Sequence, residues 1–390
     1  MRPADSVTRL GTESAFEVLA RAKALEATGR RVIHLEIGEP DFDTPAHIVE
    51  AGAQALRDGY THYCPAAGLP QMREAAAGYL SRSRAIAVDP ARVVVTPGAK
   101  PHLFFGVLAT CNPGDEVVYP DPGFPIYRSV IEWAGATPVP LTLREERSFA
   151  FHPDDLAAVL TDRTRLVILN FPGNPTGGVL DAEATARTAE ILAAHGCWVL
   201  SDEVYSELRY DAAHTSVASH ADLADRTILL DGCSKTFAMT GWRLGYAALP
   251  EALVEPVTRL LINSVSCTPP AVQLAGVAAL DGPWEPVTAM REAFRERRDK
   301  VVAGLNALPG VRCVEPQGAF YAFPNIAGTG IGARALADRL LTEAGVAMLA
   351  GSGFGDRGRE HLRVSYAASL DDLDEAVAAM GDVLATSGGA

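Results

Sequence analysis

The sequence predicts an α/β protein with a mostly parallel sheet covered by helices on both faces, and a second, smaller α/β domain. Short runs of aliphatic and β-branched residues alternate with longer helical segments between residues 92 and 235. Those runs are apolar throughout, which is typical of strands buried on both faces. At 390 residues the chain is longer than one simple core requires, so we expect two domains.

Composition narrows the function classes. Hydrophobic residues make up 48% and charged residues 21% of the chain, as in ordinary globular proteins. The net charge of -14 opposes binding to nucleic acid phosphates, and no basic run or zinc-finger spacing is present. No apolar run reaches bilayer length, and the N-terminal MRPADSVTRLG lacks a signal-peptide core. We therefore expect a cytoplasmic protein that binds neither nucleic acid nor membrane.

Cysteine and histidine patterns do not indicate a metal site. The six cysteines are scattered without a C-x-x-C pair, which favours reduced thiols. The nine histidines show neither H-x-x-x-H nor H-E-x-x-H spacing. No metal is therefore predicted.

Both ends of the chain are assigned to the smaller domain. AFEVLARAKALEATG predicts a helix ending at Gly29, and VIHLEIG predicts a strand that leads into the turn-rich GEPDFDTP. Residues 1–45 are thus predicted to form an N-terminal arm and part of the smaller domain. Residues 284–390 contain a long charged helix, MREAFRERRDKVVAGLNAL, then the GAFYAFPNI strand and shorter elements. The final TSGGA is expected to fray.

Residues 46–283 are predicted to form the large domain. An aromatic loop and helix, from Tyr60 to Leu80, precede its strands. The predicted strands lie in these segments: RVVVTPGAK, DEVVYPDPGFP, TRLVILNFPGNPTGG, GCWVLSDEVY and RTILLDGCSK. In such sheets ligands bind at the carboxyl ends of the strands, which is where the motifs discussed below lie.

The segment SKTFAMTGWR, from Ser234 to Arg243, has the residues that a covalent aldehyde cofactor with a phosphate tail requires. Lys235 can hold an aldehyde as an imine (Schiff base) if burial and neighbouring cations lower its pKa. Ser234 and Arg243 can bind a phosphate. Taken alone, the segment is equally well an ordinary amphipathic loop.

Three further segments offer matching parts. The loop at Gly98 precedes a helix that begins near Ala99 and Lys100, where backbone N–H groups can bind a phosphate, although most such turns bind nothing. Phe124, just beyond a strand, can stack on a pyridine ring or belong to the core. Asp202 follows a buried strand and would pair with a protonated pyridine nitrogen, or it caps the strand.

In combination these motifs resemble the class I, aspartate aminotransferase-like enzymes of the pyridoxal 5'-phosphate fold-type I superfamily. The resemblance extends from about Gly38 to Tyr366 and includes the N-P-T-G run of NFPGNPTGG. It implies a large domain with a mostly parallel seven-stranded sheet between helices, and pyridoxal 5'-phosphate as the cofactor. It also implies a homodimer with shared active sites.

The resemblance assigns roles to individual residues. It assigns Ala99 and Lys100, after Gly98, to the cofactor phosphate through their backbone. Asn174, otherwise a turn former, would bind the ring 3-oxygen and a substrate carboxylate, and Tyr205 would reach the same 3-oxygen. It assigns Arg363 in LRVSYA to binding the substrate α-carboxylate and Gly38 to a close approach of the backbone to that carboxylate. It assigns Tyr63 to the cofactor phosphate of the neighbouring subunit.

Two positions depart from the family pattern. Many relatives have Gly or Ser where this chain has Ala99, a change that keeps the backbone donor. Relatives often have Tyr or Trp where it has Phe124, so Phe124 would stack without offering a hydrogen bond.

The function that the resemblance implies is transamination by a ping-pong mechanism, with Lys235 as the imine-forming lysine and proton carrier. A lyase on the same fold is the main alternative, and a non-catalytic regulator domain is the second. The substrate hints disagree. Lys100 suggests an acidic substrate, whereas Ala15, Phe16 and Glu17 replace the hydroxyls of acid-specific relatives. We expect an L-amino acid donor of unspecified type, with 2-oxoglutarate or pyruvate as acceptor.

Overall fold

A computed structural model describes residue 2 and residues 4–386 of the chain. Except for Thr386, the C-terminal segment expected to fray lies outside the described residues. The helices are α1 (Ser14–Glu26), α2 (Ala46–Arg57), α3 (Pro70–Arg84), α4 (Lys100–Thr110), α5 (Ile126–Trp133), α6 (Pro153–Val159), α7 (Ala182–His195), α8 (Cys233–Thr236), α9 (Glu251–Val265), α10 (Pro270–Asp281), α11 (Glu285–Asn306), α12 (Ala333–Arg339) and α13 (Leu370–Ala385). The strands are β1 (Ile33–His34), β2 (Val93–Pro97), β3 (Glu116–Asp121), β4 (Thr137–Thr142), β5 (Thr164–Asn170), β6 (Trp198–Asp202), β7 (Thr227–Gly232), β8 (Leu244–Ala248), β9 (Tyr321–Ala322), β10 (Val346–Ala347), β11 (Leu349–Ala350) and β12 (Leu362–Ser365).

A seven-stranded sheet has the strand order β2-β8-β7-β6-β5-β3-β4. Strand β8 is antiparallel to both of its neighbours, and the other pairs are parallel. The predicted α/β fold with a mostly parallel seven-stranded sheet is thus confirmed. The individual sequence segments did not predict β4 and β8. Strand β4 contains Pro138 and Pro140 and lies at the sheet edge, where proline is tolerated; β8 follows β7 without a long crossover helix.

Hydrophobic packing covers both faces of this sheet. Leu166 and Leu200 pack in one core cluster with residues of α4, α5 and α9. Their chain neighbours Val167 and Val199 point the other way and pack in a second cluster with residues of α7. Because successive strand residues face opposite sides, apolar runs are needed wherever helices cover both faces.

The smaller α/β unit is built from both ends of the chain. Strand β1 pairs in parallel with β10, through Ile33 opposite Val346. Strands β11, β12 and β9 form an antiparallel sheet. Its core includes Leu35 from the N-terminal segment and Phe294 from the long helix α11. The predicted domain boundaries at residues 45 and 283 stay a prediction.

Five loops meet at the carboxyl edge of the large sheet because β2, β3, β5, β6 and β7 all run toward it. Residues 98–100, 122–125, 171–174, 203–205 and 233–235 follow these strands directly. Topology therefore gathers motifs that are far apart in sequence. Among the described residues, no helix combines the length and apolar character needed to cross a bilayer.

A buried ion network lies below this edge. Arg84, the last residue of α3, donates from Nε to Glu203 Oε2 at 2.9 Å and from Nη2 to Asp231 Oδ2 at 2.6 Å. All three side chains are at most 2% exposed. Glu203 follows Asp202 and Asp231 belongs to β7, so the network ties α3 to the ends of β6 and β7.

Arg84→Leu should lower the free energy of unfolding by about 3–5 kcal/mol, because two buried carboxylates lose their shared cation. Urea denaturation at neutral pH measures this change. Arg128→Leu is the control, since Arg128 and Glu132 form an exposed pair with side chains 54% and 38% exposed. Its effect should stay within about 0.5 kcal/mol. Equal effects of the two substitutions would contradict the assignment of a structural role to the network.

Candidate active site

A cavity of about 860 Å³ opens at the carboxyl edge of the large sheet, and residues of both α/β units line it. It brings together most of the residues that the sequence predicted. The predicted residues that line it are Gly38, Ala99, Lys100, Phe124, Asn174, Asp202, Tyr205, Ser234, Lys235, Arg243 and Arg363. Gly98 and Tyr63 are not among its lining residues.

Lys235 lies in the short helix α8, directly after β7, and its side chain is partly buried. Its Nζ donates a hydrogen bond to Gly38 O at 2.5 Å. Removal from water is the largest cause that lowers the pKa of Lys235 to about 8, and the guanidinium groups of Arg363 and Arg243 act in the same direction. The carboxylate of Glu39 opposes them. Much more of the Lys235 amine is thus neutral near physiological pH than for an exposed lysine, and nucleophilic attack requires the neutral form.

Asp202 ends β6 and is 5% exposed. The hydroxyl of Tyr127 donates to its Oδ2 at 2.6 Å, while its Oδ1 is buried without a hydrogen-bond partner among the described residues. Burial raises the pKa of Asp202 to about 6, against the lowering effect of the Tyr127 hydrogen bond. A buried carboxylate with one unpaired oxygen on a cavity wall can accept a hydrogen bond from a cationic ring N–H.

Asn170 holds the neighbouring loop in register with Asp202. Its Nδ2 donates to Asp202 O at 3.1 Å, and its Oδ1 accepts from the backbone N–H of Asn174 at 3.0 Å. Asn174 is 8% exposed and lines the cavity. The side chain of Asn170 therefore fixes the backbone of Asn174 beside Asp202.

The part of the cavity beside the N-terminus of α4 is suited to binding an anion. The N-terminus of α4 begins at Lys100, and no side chain caps it within the described part of the chain. Gly98 has φ +81°, and a Cβ there would lie 2.3 Å from Nη2 of Arg243. Only glycine at position 98 therefore leaves room for the guanidinium of Arg243, whose Nη1 donates to Thr240 O at 2.8 Å. Together with Ser234 these groups form a site with several donors and a net positive charge.

Phe124 lines the cavity just beyond β3 and is partly buried. Its ring makes an edge contact with Tyr127, with the centroids 5.7 Å apart. The ammonium group of Lys100 lies 5.4 Å from the Phe124 centroid. One aromatic wall of the cavity is thus in place for a flat ring.

Arg363 lies on β12 and is 4% exposed. It donates from Nη1 to Asn174 Oδ1 at 3.2 Å and from Nη2 to Glu36 O. Its Nε is buried without a partner among the described residues. The guanidinium carbon also lies 4.7 Å from the centroid of Tyr321. The side chain is held in place and keeps donor capacity for an anion such as a carboxylate.

Tyr205 and Tyr321 link the two α/β units across the cavity. Their hydroxyl oxygens lie 2.8 Å apart, and burial raises the pKa of both side chains. A Cβ at residue 38 would lie 2.1 Å from the Tyr321 hydroxyl. Glycine is thus required at position 38 for the backbone to pass close to Tyr321 and Lys235.

Tyr63 lies outside this cavity and is 90% exposed. The structure does not bring it to the other predicted site residues of the same chain. Its predicted role at a neighbouring subunit stays a prediction, because that role requires a second chain.

Sequence reasoning missed four residues that contact the predicted site: Glu13, Tyr127, Asn170 and Tyr321. Tyr127 lies three residues after Phe124 at the start of α5, and Asn170 opens the predicted NFPGNPTGG loop, so their positions beside known motifs were available signals. Tyr321 lies in the predicted GAFYAFPNI strand, but no motif marked this residue as part of the site. Glu13 reaches Lys100 only through the fold.

The residues present fit a group that has an aldehyde, an aromatic ring with a basic nitrogen, and a phosphate. Lys235 provides a nucleophilic amine, and the unpaired Oδ1 of Asp202 provides a partner for a ring N–H. Arg243, fitted against Gly98, provides charge for a phosphate. The sequence predicted no metal, and none of the roles named here requires metal-binding residues.

Amine labelling tests the environment of Lys235. On protein freed of bound small molecules, the rate of acetylation of Lys235 by acetic anhydride should rise with a midpoint at about pH 8. The reason is that only the neutral amine reacts and burial disfavours the ammonium form. Peptide mass spectrometry measures the rate across pH, with Lys300, whose side chain is 40% exposed, as the reference in each digest. A midpoint near that of free lysine, about 10.4, would contradict the burial effect.

The chain is similar to known proteins along almost all of its length. Residues 30–380 match the family described as aminotransferase class I and II. The aspartate aminotransferase of Geobacillus stearothermophilus is 40% identical over 384 residues, with 97% of each chain covered. An arginine–pyruvate transaminase of Pseudomonas aeruginosa is 39% identical over 378 residues, with 96% of each chain covered.

Solved structures give the same result. The crystal structure of an aspartate aminotransferase from Rhizobium meliloti matches with a TM-score of 0.93 and 34% identity, and 99% of each chain is covered. The resemblance seen in the sequence motifs is confirmed. The chain belongs to the class I and II aminotransferases and is a transaminase.

Proposed function

We propose that this transaminase depends on pyridoxal 5'-phosphate and moves the amino group of an L-amino acid to a 2-oxo acid by a ping-pong mechanism. Lys235 is the residue that carries the cofactor as a Schiff base. The observation that supports this most strongly is that the Lys235 amine and the Asp202 carboxylate face one cavity. Family membership supports the same cofactor.

Bound pyridoxal 5'-phosphate would supply an aldehyde that reacts with amines and an aromatic ring that accepts electrons. Lys235 is the base of the reaction. In its neutral form the Lys235 amine would remove the proton from the substrate α-carbon and return it at the next step. The pKa of about 8 suits both transfers, because the group gains and loses a proton near neutral pH.

Asp202 would hold the ring nitrogen in its protonated form. Its Oδ1 has no hydrogen-bond partner among the described residues, and Tyr127 donates to Oδ2 at 2.6 Å. With a cation against it, the carboxylate loses the cost of being buried alone. This pairing supports electron withdrawal toward the ring, which stabilises the negative charge that develops when the α-proton leaves.

The phosphate is assigned to Arg243, Ser234 and the backbone N–H groups of Ala99 and Lys100. A helix N-terminus and a guanidinium provide complementary charge and hydrogen bonds for a dianion. Phe124 would stack on the ring, and Tyr205 and Asn174 would hold its 3-oxygen. These groups fix the position of the reacting atoms and leave the chemistry to Lys235.

The substrate α-carboxylate is assigned to Arg363 and Asn174, which already contact each other. Gly38 is assigned to a close approach of the backbone to that carboxylate, which a residue without a side chain allows. We further propose a homodimer in which the exposed Tyr63 of each subunit reaches the cofactor phosphate of the other. Scattered cysteines support a cytoplasmic location.

Absorbance and trapping test this proposal. Protein supplied with pyridoxal 5'-phosphate should develop a near-visible band, and borohydride should fix the pyridoxyl group on Lys235, as read by peptide mass spectrometry. An amino acid donor should then bleach the band, and a 2-oxo acid should restore it. Lys235→Met should lower transamination by about 10³-fold or more.

Lys300→Met is the matched control, since Lys300 lies in helix α11, does not line the cavity, and pairs with Asp374. Trapping at a lysine other than Lys235 would exclude the proposed role of Lys235. Release of ammonia or a thiol without cycling of the band would indicate a lyase instead.

Arg363→Lys should raise KM for amino acids by about 10²-fold, because lysine keeps the charge but loses the planar pair of donors. The absorbance of bound cofactor should stay unchanged. Steady-state kinetics and titration with the cofactor measure the two effects separately. Arg359→Lys is the control, since Arg359 is exposed and pairs with Asp356. An unchanged KM would remove Arg363 from the carboxylate site.

A further inference from the structure

We propose that the ion pair between Glu13 and Lys100 is a charge filter in the substrate cavity, which makes amino acids with uncharged, apolar side chains the preferred donors. This inference rests on the proposed function and names its substrate class. It makes Glu13 a residue that determines specificity and takes no part in proton transfer.

The pair joins the N-terminal arm to the large sheet. Lys100 Nζ donates to Glu13 Oε1, and both residues line the cavity. The Glu13 side chain is 17% exposed and that of Lys100 is 41% exposed. Glu13 immediately precedes α1, whereas Lys100 begins α4, so the contact closes one side of the cavity by joining elements 87 residues apart.

The pair opposes substrates of either charge. A second carboxylate on the substrate can bind Lys100 only by displacing Glu13, which would then be a poorly hydrated anion beside another anion. A basic side chain can bind Glu13 only beside the ammonium group of Lys100. Like charges in contact in a partly buried site repel each other, so both substrate classes are disfavoured.

Most other charges on the rim also have partners. Lys23 pairs with Glu26 at 2.8 Å, and Asp41 pairs with Arg297 at 2.6 Å. Glu39 differs, because it accepts only a hydrogen bond from Thr240 at 2.9 Å among the described residues. Glu39 and Glu13 both act on the pKa of Lys235 in the raising direction, so substrates are compared as ratios of rate constants within each variant.

Apolar side chains also line the cavity. They are Ala15, Phe16, Leu19, Ile37 and Leu103. Phe16 is 62% exposed, so a substrate side chain that covers it removes apolar surface from water. Covering apolar surface contributes about 25 cal/mol per Å², a gain that a charged side chain cannot match without losing its own hydration.

The sequence pointed to a different acid. It placed Glu17 near the substrate, but Glu17 is exposed and does not line the cavity. Glu13, one helical turn earlier, is the acid that reaches Lys100. Glu17, in α1, is therefore a matched control, because it has the same charge as Glu13 and does not line the cavity.

Single-turnover reactions of the cofactor-loaded enzyme test the filter, because conversion of the near-visible band by an amino acid needs no acceptor. Wild type should convert leucine faster than aspartate or ornithine. Glu13→Gln should raise the aspartate-to-leucine ratio of rate constants by about tenfold or more, since Lys100 is then free. Lys100→Met should raise the ornithine-to-leucine ratio by a similar factor, since Glu13 is then free.

Binding of succinate to the cofactor-free protein gives a readout apart from activity. By calorimetry, Glu13→Gln should bind this dicarboxylate more tightly than wild type, and the double variant Glu13→Gln/Lys100→Met should lose that gain. Glu17→Gln should match wild type in both measurements.

The outcomes separate the two proposals. Normal conversion with ratios unchanged in Glu13→Gln, or a wild type that prefers aspartate to leucine, overturns the filter alone. Failure of every amino acid to convert the band overturns the proposed function and the filter with it. The expected shift in both ratios and in succinate binding supports the filter.

Discussion

The active site depends on an amine and a carboxyl group being held, with limited exposure to solvent, in one cavity. Burial acts in opposite directions on the two groups, raising the pKa of Asp202 to about 6 and lowering that of Lys235 to about 8. Both protonation equilibria consequently lie close to neutral pH. Each group is costly to charge without a partner, and a ligand that pairs with Asp202 and reacts with Lys235 removes both costs.

The charge network below the sheet edge provides a cation for the buried acids that lie beside these two groups in sequence. Glu203 and Asp231 are neighbours in sequence of site residues, but Arg84 binds both carboxylates. The lowered pKa of Glu203, about 2, reflects His214 and Arg84 overcoming the cost of burial. Glu203 is therefore ionised, and cations of the protein balance its charge. The adjacent Asp202 has one carboxylate oxygen without a hydrogen-bond partner among the described residues.

The N-terminal arm forms a part of the cavity wall that does not belong to the large sheet. Its helix α1 lines the cavity from outside the sheet, and Glu13 pairs with a lysine at the N-terminus of α4. The part of the cavity around Lys235 and Asp202 is built from strand ends that the fold fixes. The part beside Glu13 is built from an arm whose side chains can change without altering the sheet. Such an arrangement lets related chains keep one chemistry and differ in substrate.

The sequence by itself determined the mostly parallel fold, since apolar strand runs alternating with helices fit few other architectures. It also supplied the motifs for Lys235, Asp202 and Arg363, because each lies at a strand end or on a strand with a recognisable local pattern. Strand β4 was missed, since its prolines disfavour a strand unless it lies at an edge, and only the assembled sheet defines the edge.

Only tertiary structure decided which charges meet. Local patterns report neighbours within a few residues, whereas the Glu13–Lys100 and Arg84–Asp231 contacts span 87 and 147 residues. The unpaired oxygen of Asp202 is likewise a property of what surrounds it and not of the SDEVY segment. Burial and pairing set the pKa values and the free donors, and both depend on how distant segments pack together.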